Sequence, residues 1–271
     1  MTTQTLSVKG TSPYALVTGG SKGIGYAIAA ALARRNYNLI LVARDSNALS
    51  AAKNKLEALY PIHVEILSYD LSVEESAELI ARWCIDNDVK IKILCNAGGL
   101  GGEKDFLSLS LDTLRHMVNL NLEASMAMSL MLLPLLEKNA PSYILNVSSL
   151  AGFAPIPSKN IYSATKAAVI YFSYALRFQL KKKNISVSCL APGPVYTKAS
   201  IKEVTEKKMG WFGKQMAVPP EEVGEIAVKR TLEKKLIIVP GTLAKISAAI
   251  IRILPKRWIT NIYGMADQTG Q

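Results

Sequence analysis

The chain has 271 residues, 49% hydrophobic and 20% charged, which suffices for a full buried core and excludes a disordered chain. Its formal net charge of +11 is spread over short pairs such as Lys207-Lys208, Lys234-Lys235 and Lys256-Arg257, with no aromatic-and-basic platform. Nucleic acid is therefore not an expected partner. Cys84, Cys95 and Cys189 are scattered and the histidines are His63 and His116, so neither a disulfide framework nor a metal site is expected.

Met1 to Gly10 is polar and lacks the apolar stretch of a secretory signal. The longest apolar run, Ala124 to Leu136, is too short to span a bilayer and contains Pro134. A cytoplasmic, reduced protein is the expectation. No internal repeat or low-complexity linker interrupts the chain, so residues 1–271 read as one domain.

In chain order, β-rich runs fall at 14–18, 38–43, 63–67, 91–95, 143–147, 185–190 and 236–239. Helical patterns fall between them, near 23–35, 46–59, 73–87, 111–138, 161–182 and 220–234. Most of the strand runs are continuously apolar, as strands covered on both faces are. This alternation predicts an α/β fold with a doubly wound parallel sheet of about seven strands and helices on both faces.

The first run ends in Thr18-Gly19-Gly20-Ser21-Lys22-Gly23-Ile24-Gly25, and a helix begins by Tyr26. Strand, glycine turn and helix form the context of a dinucleotide site, where glycines admit a pyrophosphate and the helix N-terminus supplies free N–H groups. The second run ends Val42-Ala43-Arg44. Ala43 offers no carboxylate to a ribose 2′-OH, whereas Arg44, with Lys22, suits a 2′-phosphate. NADP(H) is the expected cofactor. Asp45 is better placed to cap the next helix.

Tyr162 and Lys166 share a helix face at i and i+4, and a cation near a phenol favours the phenolate. With 11 tyrosines and 23 lysines, chance supplies roughly one such pair, so the spacing needs company. Ser149 supplies it, thirteen residues upstream, just past an apolar strand.

Together these residues resemble the short-chain dehydrogenase/reductase family in its single-domain form, in order over residues 13–200. The motifs are Thr18-Gly19-x-x-x-Gly23-x-Gly25, Asp70-Leu71, Asn96-Ala97-Gly98, Asn121, Ser149, Tyr162-x-x-x-Lys166 and Pro192-Gly193-Pro194-Val195-x-Thr197. The resemblance implies that Tyr162 is the acid/base and that Ser149 binds the substrate oxygen. It implies that Lys166 binds the nicotinamide ribose and depresses the tyrosine pKa, and that Asn121 supports a proton-relay water. Gly19, Ser21, Lys22, Gly23, Ile24 and Gly25 would surround the pyrophosphate. Asp70 and Leu71 would lie near adenine, Asn96, Ala97 and Gly98 near its ribose, and Pro192, Gly193, Val195 and Thr197 near the nicotinamide.

Spacing to Tyr162 selects Ser149 over Ser148, and spacing to Pro134 selects Asn121 over Asn119. Cys95 stands where the family usually has a second asparagine, and is expected to pack as a small hydrophobe. The resemblance implies carbonyl reduction or alcohol oxidation by a homodimer or homotetramer, and the apolar side chains of 198–217 point to reduction of a hydrophobic ketone or aldehyde. A non-catalytic NADP(H) sensor is the rival reading, and it predicts loss of Ser, Tyr or Lys.

Residues 198–217, with Met209, Trp211, Phe212 and Met216, are expected to cover an apolar substrate. Leu243 to Leu254 is apolar with Lys245 and Arg252 on one face, and Lys256, Arg257 and Trp258 follow Pro255. Such a segment fits a subunit interface or an anionic membrane, as in a peripheral lipid or acyl reductase, and the sequence favours the first.

Overall fold

The structure, a computed structural model, describes residues 12–102, 106–195 and 217–269. Its centre is a seven-stranded parallel sheet: β1 (Tyr14–Thr18), β2 (Asn38–Ala43), β3 (Val64–Ser68), β4 (Ile91–Asn96), β5 (Ser142–Val147), β6 (Ile185–Leu190) and β7 (Ile237–Ile238). The strand order is β3-β2-β1-β4-β5-β6-β7, so the winding reverses between β1 and β4. Every residue of β1 and β6 is buried, including Ser186 and Ser188 of β6, as strands covered on both faces are.

Alternate strand residues feed two cores. Ala15, Val17, Leu39 and Leu41 face α1 (Gly23–Ala33), α2 (Ser46–Leu59) and α8 (Pro220–Leu232). Leu16, Ile40 and Val42 face the other layer, with α3 (Ser76–Asp86), α5 (Ala124–Met131), α6 (Leu133–Lys138) and α7 (Asn160–Leu180). The caps follow local chemistry: Asp45 Oδ1 accepts from the Ala48 N–H at 3.0 Å, as expected. Ser110 caps α4 (Leu111–Val118) through the Thr113 N–H at 3.2 Å.

Several boundaries differ from expectation. The third helix begins at Ser76 because a turn holds residues 73–76, with the Ser76 hydroxyl donating to Asp70 O at 2.7 Å. The helix expected over 111–138 is three helices and a π turn (Asn119–Glu123). Pro134, which lacks an N–H, sits in the first turn of α6 and marks its start. Pro255 likewise separates α9 (Thr242–Ile253) from α10 (Lys256–Thr269).

Helix α8 lies directly on α1. A Cβ at Gly224 would come within 2.4 Å of the Ala27 carbonyl carbon and oxygen, so only a glycine allows this approach. Glu225, next in sequence, pairs with the Arg35 guanidinium and lies 3.3 Å from Arg34. Gly224→Ala should therefore push α8 away from α1 and lower stability by about 1–3 kcal/mol in urea unfolding. An unchanged midpoint and slope would refute the backbone contact.

Candidate active site

The carboxyl ends of β1, β4 and β5 surround the reversal point, where open parallel sheets bind ligands. The turn after β1 uses left-handed backbone at Gly19 (φ 65°) and Gly23 (φ 61°). Gly25 closes it, since a Cβ there would stand 2.2 Å from Gly19 O. Lys22 occupies the N-cap of α1 without a side-chain cap, so no side chain of this turn occupies the first N–H groups of the helix. Thr18 Oγ1 accepts from the N–H groups of Ala97 (2.9 Å) and Gly98 (3.0 Å), which fixes the loop after β4 over the glycine turn.

At the ends of β2 and β3, the exposed Arg44 guanidinium lies 3.4 Å from Asp70. Burial pushes the Asp70 carboxyl up. Hydrogen bonds from the Ser72 N–H (2.9 Å) and hydroxyl (2.7 Å), with Arg44, more than offset this and hold it below the usual range. Leu71 is buried, near Gly98. The residues present thus fit a nicotinamide dinucleotide: an uncapped helix start, glycine backbone open to close approach, and an exposed cation at the end of β2.

Ser149 follows β5 and caps a short 3-10 turn (Leu150–Phe153), accepting from the Ala151 N–H at 3.2 Å. Its side chain lies beside that of Tyr162, in the first turn of α7. One turn further on, Lys166 is 5% exposed and its Nζ donates to Val147 O at 3.0 Å. That ammonium lies 5.9 Å from the Tyr162 ring centroid. Asn121 is fully buried in the π turn; its Oδ1 accepts from the Leu100 N–H at 2.7 Å and its Nδ2 donates to Leu100 O at 2.9 Å. A Cβ at Gly99 would lie 3.1 Å from Asn121 Oδ1 and 3.3 Å from Lys166 Nζ, so both groups converge on this glycine. Ser149, Tyr162, Lys166 and Asn121 form one site.

The titration of the site departs from expectation. Burial pushes the Tyr162 phenol above its ordinary value, and the Ser149 hydrogen bond only partly opposes this. Burial also pushes Lys166 itself down, to about 8, with Cys189 acting the other way. Its ammonium is committed to the Val147 carbonyl.

Other expected residues sort by what their side chains touch. The Asn96 side chain is turned away from the ligand face, donating to Ser125 O, Ser129 Oγ and Asn146 Oδ1. That side chain ties the end of β4 to α5 and β5. Val195 packs into the core and Pro192 O accepts from the Leu150 N–H at 3.0 Å. Cys95 packs in the core as expected, and burial raises its thiol pKa. Ser148 is structural, donating to Lys166 O at 2.7 Å. Thr197 and 198–216 of the expected substrate cover lie outside the described residues.

Sequence reading missed the Thr18 clamp and the Asn96–Asn146 pair. The available signal was asparagines ending two apolar strands, which the structure places side by side in register. A cavity of about 1060 Å³ is lined by Phe153, Ile156, Ser163, Ala167, Ile170 and Tyr171, among others. None of the four site residues lines it.

A model of the short chain dehydrogenase family matches residues 13–208. The chain belongs to this family. The mouse very-long-chain 3-oxoacyl-CoA reductase is 32% identical over 200 residues, covering 72% of this chain and 64% of that protein. The Drosophila melanogaster dehydrogenase/reductase SDR family protein 7-like is 30% identical over 251 residues, covering 89% of this chain and 76% of that protein. Among solved structures, the short-chain dehydrogenase from Sphingobium yanoikuyae in complex with NADPH superposes with a TM-score of 0.74 at 26% identity, covering 95% and 94% of the two chains. The chain thus spans less than two thirds of the mouse relative it matches.

The buried lysine gives a stability signature. Its pKa falls from 10.5 unfolded to about 8 folded, so between these values the unfolded chain holds the proton more tightly. Stability due to this group therefore rises with pH across that window, by up to roughly 3 kcal/mol. Urea unfolding should show the wild type gaining on Lys166→Met from pH 8 to 10.5. A constant difference would refute the buried ammonium.

Proposed function

We propose that this chain reduces a hydrophobic ketone or aldehyde with NADPH. The observation that carries this reading is the placing of Ser149 beside Tyr162, one turn from a buried Lys166 and close to Asn121. The non-catalytic sensor reading predicts loss of one of these groups, and all are present in one site.

The turn from Gly19 to Gly25 would hold the pyrophosphate at the start of α1. Lys22 and Arg44 would meet the 2′-phosphate, and Asp70, Leu71 and the Ala97-Gly98 backbone would flank the adenosine. Pro192, Gly193 and Thr197 would border the nicotinamide. The bound nicotinamide supplies the hydride, and the chain supplies geometry and proton management.

Ser149 and Tyr162 direct their hydroxyls to one point, where they bind and polarise a carbonyl oxygen. As hydride reaches the carbonyl carbon, the Tyr162 hydroxyl gives its proton to that oxygen, and an alcohol results. Lys166, with a pKa near 8, is able to return a proton to the tyrosine near neutral pH. Asn121 and Gly99 border the space beside Nζ through which a relay water would reconnect it to solvent.

The NADPH-bound Sphingobium structure supports the cofactor. The mouse very-long-chain 3-oxoacyl-CoA reductase supports an apolar carbonyl substrate.

Tyr162→Phe should lower kcat by about 10²–10⁴-fold while NADPH still binds, as read by steady-state kinetics and fluorescence titration. Near wild-type turnover would remove Tyr162 from the acid role. Arg44→Asp should shift the NADPH/NADH ratio of kcat/KM toward NADH by roughly 10–100-fold, with Arg44→Gln intermediate. An unchanged ratio would assign phosphate reading to Lys22 alone.

A further inference from the structure

Beyond the active site, helices α9 and α10 form an outward surface that the reaction does not use. On α9, Ile246, Ile250 and Ile253 are 52%, 50% and 84% exposed; on α10, Trp258, Ile262 and Met265 are 60%, 55% and 60% exposed. Both sets follow the spacing i, i+4, i+7, so each helix carries one continuous apolar stripe turned to solvent. Their inner faces are already occupied. Ala244, Ala248 and Ile259 are buried, Lys256 Nζ donates to Phe153 O at 2.9 Å, and the Arg252 guanidinium stacks 4.2 Å from the Phe153 ring centroid. These contacts fix which way the stripes face.

Charge decides the occupant. From Lys234 to Ala266 the chain carries six basic residues and no acidic one. Lys245 and Arg257, both exposed, precede Ile246 and Trp258 by one position and so flank the stripes by about a quarter turn. Such side chains extend their charge to a headgroup while their stems cover apolar surface. A second copy on this face would bring two such basic stretches together, whereas an anionic bilayer supplies the opposite charge. Neither helix is long and apolar enough to cross a membrane.

We propose that the outward stripes of α9 and α10 are a docking surface for an anionic membrane, lying in the boundary between headgroups and acyl chains. This reverses the preference for a subunit interface drawn from sequence alone. The docking stands independently of the reaction proposed above. Its consequence for delivery rests on that reading: α9 and α10 grip the segment between Ser149 and Tyr162 at Phe153, which would set the active site beside the lipid surface.

The test is co-sedimentation of the full chain with phosphatidylcholine vesicles, with and without phosphatidylserine. Binding to the mixed vesicles at low salt, and release at about 0.5 M salt, is expected. Lys245→Gln and Arg257→Gln should each weaken partitioning roughly fivefold. Ile250→Ser with Ile262→Ser should abolish it while leaving thermal unfolding, NADPH binding and turnover of a water-soluble ketone unchanged. Absence of binding to phosphatidylserine vesicles at low salt would overturn the proposal. So would apolar variants that keep vesicle binding but lower the particle mass in analytical ultracentrifugation, since that result assigns the face to a second copy.

Discussion

The site depends on one buried cation. The Lys166 ammonium sits at the carboxyl end of β5, where it is removed from water. An ion in that position costs several kcal/mol unless oriented dipoles replace its hydration. Val147 O supplies one such dipole to Nζ, and the Ser148 hydroxyl binds the carbonyl of the same lysine. Side chain and backbone of a single residue are thereby tied to the last residue of β5 and to the one that follows it. The tie fixes the rotation of α7 about its axis, and with it the place of Tyr162 one turn earlier. Ser149 completes the alignment because it is the next residue of the same strand end.

A second constraint comes from the opposite wall. An α-helical register through residues 111–138 would not carry the extra residue that the π turn at Asn119–Glu123 accommodates. Single π turns in otherwise α-helical segments recur at functional positions. Here the turn carries Asn121, fully buried, whose amide bonds both backbone groups of Leu100. The loop after β4 is held twice as a result: by Asn121 at Leu100, and by Thr18 at Ala97 and Gly98. Gly99 lies between the two clamps and leaves the space in which Asn121 and Lys166 meet.

What the sequence makes legible follows from how local each determinant is. The seven apolar runs and the glycine turn report their own structure, because burial on both faces demands continuous apolar residues and a βα turn demands glycine. Asp45 reads correctly as a cap for the same reason. The helix over 111–138 does not read correctly, since the π turn answers to packing against Leu100 and no residue type announces it. For Asn96 the motif gives the position, but only the pleat gives the side chain's direction, toward Ser125, Ser129 and Asn146. The Tyr162–Lys166 spacing shows that the two share a face, yet not that a carbonyl from β5 captures the ammonium.

That capture bears on the direction of proton transfer. A tyrosine whose pKa is raised by burial keeps its proton at neutral pH, where it is available for donation to an oxygen. Removal needs a phenolate, and a phenolate needs net positive potential at its oxygen. Lys166 is able to provide that only while protonated, and a pKa near 8 leaves a substantial neutral fraction once the medium becomes mildly alkaline. The chain's own residues therefore hold the site in its proton-donating form and couple it to a lysine that reloads most readily below that value. The acid form is thus the resting form of the tyrosine, and its nearest cation is engaged with the strand rather than with the phenol.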